Sequence, residues 1–420
     1  MNSGNVDNNN VNNSDNYVVP FLANNFNNNY RIVFEGKITF EELVEAYLSC
    51  RHHKRWTKAA IKFEVNLEDN LNKLYEDLVN GTYKISSSTT FVVSDPKYRE
   101  VFAADFRNRI VHHLFINRIG PYLEEYFDDS SFNCRVGKGS LKAIYRLQEI
   151  INEEKDKYPK CCCILGLDLR AFFMSIDRKL TLHDLTRFIE INVPEDNLEF
   201  TLYLAKTILK NDPTLNCRVI GDISLWDNIS SNKSLFNRSN GLPIGDLTSQ
   251  HIANFILTEL DIFITRHGFK LVRYVDDLRI VGRKEDLIKF IPILFRYIED
   301  ILHLSFNRSK IYLQHYTKGA PFIGYFVTRN SIIPGKRLKH KVNRLINEIE
   351  NSEYTTFESI NKLQMRVNSY LGFLVHCKSY TLRKKLVMAV FSKQLGFISH
   401  KGFTKITMNR KLKSQGLILS

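Results

Sequence analysis

Two adjacent aspartates, Asp276 and Asp277, lie between apolar runs in the segment KLVRYVDDLRIVG, residues 270–282. Such a pair often simply forms a surface turn between two strands. The flanking apolar residues indicate strands packed on a core, which would hold the carboxylates rigidly. Two unit charges about 4 Å apart repel by roughly 4 kcal/mol at an effective dielectric near 20. A rigid pair therefore favours a bound cation, and carboxylate oxygens suit Mg²⁺.

A third carboxylate, Asp168, stands near the end of the apolar run CCCILGLDL, residues 161–169. A run this apolar predicts a strand that is buried on both faces. A side chain at the end of that strand can reach a site, although Asp168 as a buried structural acid is an alternative. Asp177 opens the next helical pattern, where we expect it to cap a helix N-terminus.

The apolar periodicity also predicts the elements that must position these carboxylates. We find no internal repeat. The predicted elements are, in chain order, helices in residues 38–53 and 66–81 with a stop at Gly81, strands in 88–105, a helix in 106–127, an irregular insertion in 211–241 and further helices from 336.

Length and composition indicate a globular protein that is large enough for two or three domains. Residues 1–30 are rich in Asn and predict a disordered tail. No apolar run reaches the roughly 18 residues that a membrane span needs, so we expect a cytoplasmic protein with no membrane partner. The seven cysteines show no CxxC spacing, which favours buried thiols over disulfides or a zinc site.

Positive charge is concentrated near the C-terminus of the sequence. The formal net charge is +14, and from Lys336 onward 17 Lys and Arg face 4 Glu and no Asp. A solvated helical face explains any single one of these cations. A whole segment with this bias indicates a polyanionic partner, for which nucleic acid is the natural candidate.

Three ordered motifs resemble the palm of a reverse transcriptase: LDLRAFF at 167–173, GLPIGDLTSQ at 241–250 and RYVDDL at 273–278. Flanking stretches extend this likeness over roughly residues 90–330. Among subfamilies the sequence most resembles the enzymes of diversity-generating retroelements, which carry IGxxxSQ where group II intron enzymes have QGxxxSP. No Cys/His-rich endonuclease-like segment follows in this sequence, so we expect a protein other than a full group II intron protein.

The resemblance implies an α+β right hand with a palm built from a small antiparallel sheet and packed helices. We expect fingers at 31–160, a palm at 161–330 and a basic helical thumb at 331–420. The implied activity is RNA-directed DNA synthesis that is error-prone at template adenines. The implied partners are template RNA and primer, their RNA/DNA duplex, deoxynucleoside triphosphates (dNTPs) and a small basic accessory protein.

The family reaction is attack of a primer 3′-OH on the α-phosphate of a dNTP. It uses two Mg²⁺ ions, for which Mn²⁺ can substitute. By resemblance, Asp168 and Asp276 bridge the ions, and Asp277 completes their surroundings. The backbone carbonyl of Leu169 is a further implied ligand. Lys310 matches the lysine that protonates the pyrophosphate leaving group.

Other matching positions imply contacts with the incoming nucleotide. Phe173 matches the bulky gate that excludes a ribose 2′-OH, with core packing as the alternative. Arg99, assisted by Lys97, matches a cation on the triphosphate, with a solvated charge as the alternative. Ile244 stands where many other reverse transcriptases place Gln, or simply fills an apolar gap. Gly245 and Gln250 complete this nucleotide-binding motif.

A last set of residues is expected to contact nucleic acid. Gly324 belongs to the hairpin that grips the primer end, although a strand glycine also marks bulges. By resemblance, template phosphate is expected to contact Arg135, Gly137, Lys138 and Gly139. By charge, the duplex backbone is expected to contact Arg383, Lys384 and Lys385.

Two other functions are compatible with parts of this sequence. A phage-defence or retron-like bacterial reverse transcriptase would share the palm and make a different DNA product. A catalytically silent RNA-binding protein is disfavoured by the intact Asp168, Asp276 and Asp277. The sequence does not identify the template RNA, the priming mode, the target or the oligomeric state.

Overall fold

The structure is a computed structural model, and it describes residues 32–52, 54–95, 97–238 and 240–409. The predicted Asn-rich tail at 1–30 lies outside the described residues, as does the C-terminal end of the predicted thumb. No helix in the described part of the chain is long and apolar enough to cross a membrane.

Helices and strands are numbered here in chain order. The helices are α1 Phe40–Arg51, α2 Lys58–Glu64, α3 Leu67–Val79, α4 Phe106–Tyr126, α5 Ser140–Lys157, α6 Phe172–Ser175, α7 Arg178–Asn192, α8 Glu195–Lys210, α9 Leu247–Arg266, α10 Lys284–Asp300, α11 Lys336–Asn351, α12 Phe357–Leu374 and α13 Tyr380–Phe391. The strands are β1 Ser88–Val93, β2 Arg99–Ala104, β3 Cys162–Asp168, β4 Cys217–Val219, β5 Lys270–Tyr274, β6 Asp277–Arg283, β7 Tyr312–His315, β8 Ala320–Phe322, β9 Tyr325–Val327, β10 Ile332–Pro334, β11 Phe397–Ser399 and β12 Ile406–Met408.

A four-stranded antiparallel sheet in the order β5-β6-β3-β7 forms the centre of the predicted palm. Leu165 and Leu167 of β3 join a core with α9 and α10 on one face of this sheet. Cys162 and Ile164 join a second core with α5 on the other face. The predicted strand buried on both faces is therefore confirmed, because helices cover both sides of the sheet.

Smaller elements flank this sheet. Strands β1 and β2, in the stretch where strands were predicted, form an antiparallel pair. Helices α1 to α4 contribute to one shared apolar core. The prediction that residues 211–241 are wholly irregular is wrong, because β4 in this stretch pairs with β1 in parallel. Strands β8, β9 and β10 form a separate antiparallel sheet.

The C-terminal region has its own apolar core between α11, α12 and α13. Its helices were expected, whereas the hairpin of β11 and β12 was not. Ile406 of β12 is fully buried in the same core, so the hairpin is part of this unit. An ion pair from Lys341 Nζ to Asp95 Oδ1 (2.5 Å) joins α11 to the turn after β1.

Two local predictions concern polar and thiol side chains. Asp177 caps α7 as expected, since its carboxylate accepts hydrogen bonds from the backbone amides of Lys179 and Leu180. All seven cysteines are free thiols, but only Cys50, Cys162 and Cys163 are buried. The expectation of buried thiols is wrong for Cys134, which is exposed on the loop after α4.

Candidate active site

The ends of two central strands place the predicted carboxylates together. Asp168 is the last residue of β3 and pairs in antiparallel register with Asp277, the first residue of β6. Asp276 lies in the turn between β5 and β6, and its backbone carbonyl accepts a hydrogen bond from the Leu169 amide (3.2 Å). The four residues predicted to surround the metal ions therefore lie at one edge of the sheet.

Burial and mutual repulsion act on these carboxyl groups. Burial raises the pKa of Asp276 to about 6, and the negative charge of Asp168 adds to this rise. Burial also raises the pKa of Asp277, while the Arg279 guanidinium acts in the opposite direction. A group of acids destabilised in this way gains from any nearby positive charge.

Two cations of the chain contact these acids. The Lys310 ammonium lies 2.6 Å from both carboxylate oxygens of Asp168. Arg279 donates from Nη1 to Asp277 Oδ1 (2.6 Å) and from Nε to the Pro321 carbonyl oxygen (3.0 Å). Arg279 is almost fully buried, so it ties Asp277 to the neighbouring β8 strand, whereas Lys310 remains partly exposed.

The chemistry of these donors fits a divalent cation. Among the described residues, the side chains of His, Cys, Asp and Glu form no group of three that is arranged to hold a metal ion. Asp168 and Asp277 instead face Lys310 and Arg279. The strand ends nevertheless offer carboxylate oxygens, the donors that Mg²⁺ prefers, and a cation would offset the repulsion that burial strengthens.

A buried ion pair that the sequence reading missed holds the turn of Asp276. The guanidinium of Arg273 donates two hydrogen bonds to Asp261 Oδ2, at 2.9 and 2.6 Å, and both side chains are fully buried. Its Nη1 also donates to the carbonyl oxygen of Val275 (3.1 Å), a residue with φ of 58°. The signal for this role was an arginine inside the apolar strand run LVRYV.

The segment that leads into β2, in the predicted fingers, brings a further cation to this edge. Burial and the neighbouring ammonium of Lys310 lower the pKa of Lys97, while Asp168 opposes them. Lys97 and Lys310 therefore lie close together beside the strand end. Arg99 is exposed at the start of β2. The structure thus brings Lys97 to the acids, and the triphosphate contacts of both fingers cations remain a prediction.

Phe173 and Ile244 pack against one small apolar cluster formed by Phe102, Met174 and Leu235. The Phe173 backbone carbonyl also accepts a hydrogen bond from the Leu242 amide (2.8 Å). Both side chains are only partly buried, so each keeps a surface that faces away from the cluster. Packing is thus part of their role, and their contact with a nucleotide stays a prediction.

Gly245 lies against the backbone of β2. The Phe102 amide donates to the Ile244 carbonyl oxygen (2.9 Å), which brings the motif loop onto this strand. Gly245 has φ of 133°, and a Cβ atom there would lie 2.2 Å from the Phe102 carbonyl oxygen. Only glycine fits, because any larger residue would strain its backbone and push the loop from the fingers.

We expect Gly245→Ala to lower the kcat/KM for dNTPs by about 10- to 100-fold, because displacement of a positioning loop by about 1 Å can cost this much. Single-nucleotide incorporation on a template-primer would measure the change. Gly268→Ala is the matched control, since Gly268 also has positive φ but has open space beside its Cβ position. Equal losses in both variants would contradict the steric argument.

The predicted template loop between α4 and α5 has mixed roles. Gln250 accepts a hydrogen bond from Asn133 Nδ2 (3.2 Å), so it supports the loop. The nearly buried guanidinium of Arg135 pairs with Glu124 (2.9 Å), and its contact with nucleic acid stays a prediction. Lys138 contacts Asp129 at the surface (3.2 Å).

Gly137 and Gly139 both have positive φ, and nothing lies within 4 Å of the Cβ positions that a side chain would occupy. The space beside this loop is therefore open to a ligand, as the predicted phosphate contact requires. Gly324 forms a tight turn between β8 and β9 together with Ile323, since both residues have positive φ. Gly324 therefore belongs to a hairpin turn and does not mark a bulge.

The three cations of α13 that were predicted to bind phosphate differ in their surroundings. Lys384 and Lys385 are exposed. Arg383 instead donates from Nη1 to the Gly402 carbonyl oxygen (2.6 Å), and its Nε is buried without a partner. The Arg383 guanidinium thus anchors the segment between β11 and β12, and its contact with a phosphate stays a prediction.

A second residue that the sequence reading missed is Glu100, which is fully buried on β2. Its carboxylate accepts hydrogen bonds from Trp226 Nε1 (2.9 Å), Ser234 Oγ (2.9 Å) and the Leu235 amide (2.8 Å). These contacts hold the segment after β4 against the fingers. Strand alternation with Phe102 could have indicated that Glu100 faces inward.

A comparison with protein families agrees with this geometry. The family described as reverse transcriptase (RNA-dependent DNA polymerase) matches residues 94–327, more than half of the sequence. The chain belongs to the reverse transcriptase family. The predicted enzyme class and the α+β right-hand fold are thereby confirmed. Reverse transcriptases generally use divalent metal ions, which agrees with the carboxylate oxygens at the strand ends.

Solved structures similar to this reverse transcriptase include three structures of telomerases from two Candida species. Telomerase from Candida albicans in complex with a telomeric RNA fragment shares 11% identity with a TM-score of 0.44, over 74% of this chain and 61% of the other. Apo telomerase from Candida tropicalis shares 10% identity with a TM-score of 0.45, over 74% of this chain and 56% of the other. Its form truncated from the C-terminal domain shares 9% identity with a TM-score of 0.42, over 60% of this chain and 55% of the other. The aligned part thus spans less than two thirds of each telomerase chain. A search of curated protein sequences gives no significant match.

Proposed function

We propose that this reverse transcriptase copies a template RNA into cDNA within a diversity-generating retroelement, with frequent errors at template adenines. The observation that carries the polymerase proposal is the carboxylate edge, where Asp168 and Asp277 pair across β3 and β6 beside Asp276. The retroelement proposal rests on the motif GLPIGDLTSQ and on the apolar side chain of Ile244 within it.

The carboxylate edge gives each residue a role in nucleotidyl transfer. Asp168, Asp276, Asp277 and the Leu169 carbonyl would hold two Mg²⁺ ions, or Mn²⁺ as a substitute. When bound, such ions stabilise the attacking and leaving oxygens of the displacement. Lys310 holds its ammonium at the same edge, from where it can donate a proton to departing pyrophosphate.

The fingers and the motif loop would orient the dNTP. Lys97 and Arg99 place positive charge where a triphosphate needs neutralisation. The partly exposed ring of Phe173, five residues after Asp168 in the sequence, would act as the gate against a ribose 2′-OH. Gly245 keeps the loop of Ile244 close to β2, as the short backbone contact with Phe102 requires.

Nucleic acid would contact surfaces on both sides of this edge. We assign residues 31–160 to the fingers, 161–330 to the palm and 331–420 to the thumb, whose excess of cations suits the backbone of an RNA/DNA duplex. Lys384 and Lys385 are its exposed contacts, Gly137 and Gly139 line the template loop, and Gly324 turns the primer hairpin. A small basic accessory protein is a further proposed partner.

Primer extension by the purified chain, with an RNA template, a DNA primer, dNTPs and Mg²⁺, tests this function. We expect cDNA whose deep sequencing shows more errors at template adenines than at the other three bases. No synthesis on RNA would contradict the polymerase proposal. Synthesis with equal, low error rates at all four bases would contradict the retroelement proposal and favour a defence or retron-like enzyme.

Ile244→Gln is expected to reduce misincorporation opposite template adenines by a few-fold to about tenfold, because a hydrogen bond contributes roughly 0.5–1.5 kcal/mol net. The apolar Ile244 offers contact area alone, so correct and incorrect pairs are less well distinguished there. Deep sequencing of cDNA from one defined RNA measures the rate. Ile293→Gln, on the surface of α10, is the matched control. An unchanged adenine error rate in Ile244→Gln would assign Ile244 to packing alone.

A further inference from the structure

An exposed basic and aromatic surface lies between α1 and α2, outside every sequence motif discussed above. Residues 51–62 contain five Lys or Arg and no acid. We define the Trp56 patch by five residues of this segment: the half-buried Lys54 and the exposed Arg55, Trp56, Lys58 and Lys62.

Trp56 is the most unusual member of the patch. The residue is 80% exposed, which is rare for so large an aromatic residue. The Arg55 guanidinium lies 5.4 Å from the ring centroid, so a cation accompanies the ring. Beside it, Ile61 and Val65 help to line a groove of about 360 Å³. The ring is thus offered to solvent next to a partly apolar groove.

Hydrogen bonds and ring packing fix the position of the Trp56 patch. Glu64 Oε1 accepts hydrogen bonds from Arg51 Nε (2.7 Å) and from the Tyr47 hydroxyl (3.0 Å), which ties α2 to α1. Thr57, next to Trp56, caps the first turn of α2. The ring of Phe63 packs on Phe106 at the start of α4, with centroids 5.3 Å apart. The exposed ring and cations are therefore held by the core of the fingers.

Most of the positive charge of the patch has no acidic partner among the residues that the structure describes. Glu64 neutralises Arg51, which lies at the edge of the groove. Within the described part of the chain, no carboxylate forms an ion pair with Lys54, Arg55, Lys58 or Lys62. Uncompensated cations around an exposed ring suit a polyanion that also carries aromatic groups.

We propose that the Trp56 patch binds single-stranded RNA, with one base stacked on Trp56 and phosphates contacted by Arg55, Lys58 and Lys62. A duplex hides the faces of its bases, whereas a single strand can present one to the ring. An acidic peptide would satisfy the cations but would leave the ring without a matching partner. This inference rests on the proposed function, which supplies the RNA.

Binding of a fluorescein-labelled oligouridine of about 20 nucleotides to the whole chain, without metal or dNTPs, tests the patch. We expect Trp56→Ala to weaken binding about five- to twentyfold and Trp56→Phe to retain most of the affinity, because base stacking needs an aromatic face. Lys58→Glu with Lys62→Glu should reduce the slope of log affinity against log salt by about 1.4, or 0.7 for each lost phosphate contact.

Lys160→Glu with Lys289→Glu is the matched control, because both lysines are exposed outside the patch. It reverses the same number of charges, and we expect a smaller change in slope. An oligouridine that carries 5-bromouridine should crosslink on irradiation to the peptide that contains Trp56. This crosslink distinguishes RNA that is bound at the Trp56 patch from RNA that is bound by the C-terminal basic region.

Unchanged affinity in Trp56→Ala, or equal loss in Trp56→Ala and Trp56→Phe, would overturn the stacking contact. A salt slope that changes equally in the patch variant and the control would overturn the phosphate contacts. DNA synthesis by the same preparations keeps the two proposals apart. If the chain synthesises DNA on RNA and the patch variants bind RNA as tightly as the original chain, only the patch proposal is contradicted. If RNA crosslinks at Trp56 but no DNA is made, only the polymerase proposal is contradicted.

Discussion

Replacing Asp276 and Asp277 together by Ala is expected to reduce Mg²⁺-dependent DNA synthesis on an RNA template to below about a hundredth of the original rate. Both carboxylates lie at the edge where β3 ends and β6 begins, and Asp168 is the remaining acid. Without them, the oxygen ligands at this edge are reduced to Asp168 and backbone carbonyls. Primer extension under single-turnover conditions measures the rate.

RNA binding should be largely unchanged in this variant, because the proposed affinity comes from cations of the C-terminal region and the fingers. Glu195→Ala with Asp196→Ala is a matched control, since these adjacent acids are exposed at the start of α8. We expect the control to synthesise DNA at the original rate. Synthesis above a hundredth of that rate in the aspartate variant would contradict the metal-binding assignment.

The positions of the three aspartates could be predicted because they depend on local patterns. Apolar runs define β3, β5 and β6, and the length of each run places Asp168 at a strand end and Asp276 in a turn. The cap at Asp177 is equally local, since the carboxylate bonds to amides two and three residues later. Side chains whose environment is set by near neighbours in sequence are therefore recoverable from the sequence.

Contacts between distant segments could not be predicted in this way. Glu100 meets Trp226 and Ser234 only because β4 pairs with β1, and no local pattern encodes a pairing across so many residues. For the same reason, the chemistry of an arginine does not reveal its partner. Arg135 and Arg383 look like phosphate ligands in sequence, yet Glu124 and the Gly402 carbonyl oxygen already bind their guanidinium groups.

Arg273→Met is expected to lower the free energy of unfolding by about 3–5 kcal/mol, because removal of one partner leaves the other buried charge uncompensated. Asp261 is fully buried and receives its paired hydrogen bonds from Arg273. Urea denaturation followed by circular dichroism measures the change. Arg283→Ala is the control, since Arg283 and Glu285 form an exposed pair, and we expect no measurable change in its midpoint.

A double variant, Arg273→Met with Asp261→Leu, separates stability from positioning. Replacing both partners by apolar residues removes the buried charge, so most of the lost stability should return. DNA synthesis should remain impaired, because the Val275 carbonyl still lacks the donor that holds the turn of Asp276. Recovery of both stability and synthesis would show that Arg273 balances charge without positioning the turn. Failure to recover stability would mean that the hydrogen bonds of Arg273 to Asn254 and Val275 matter more than the charge of Asp261.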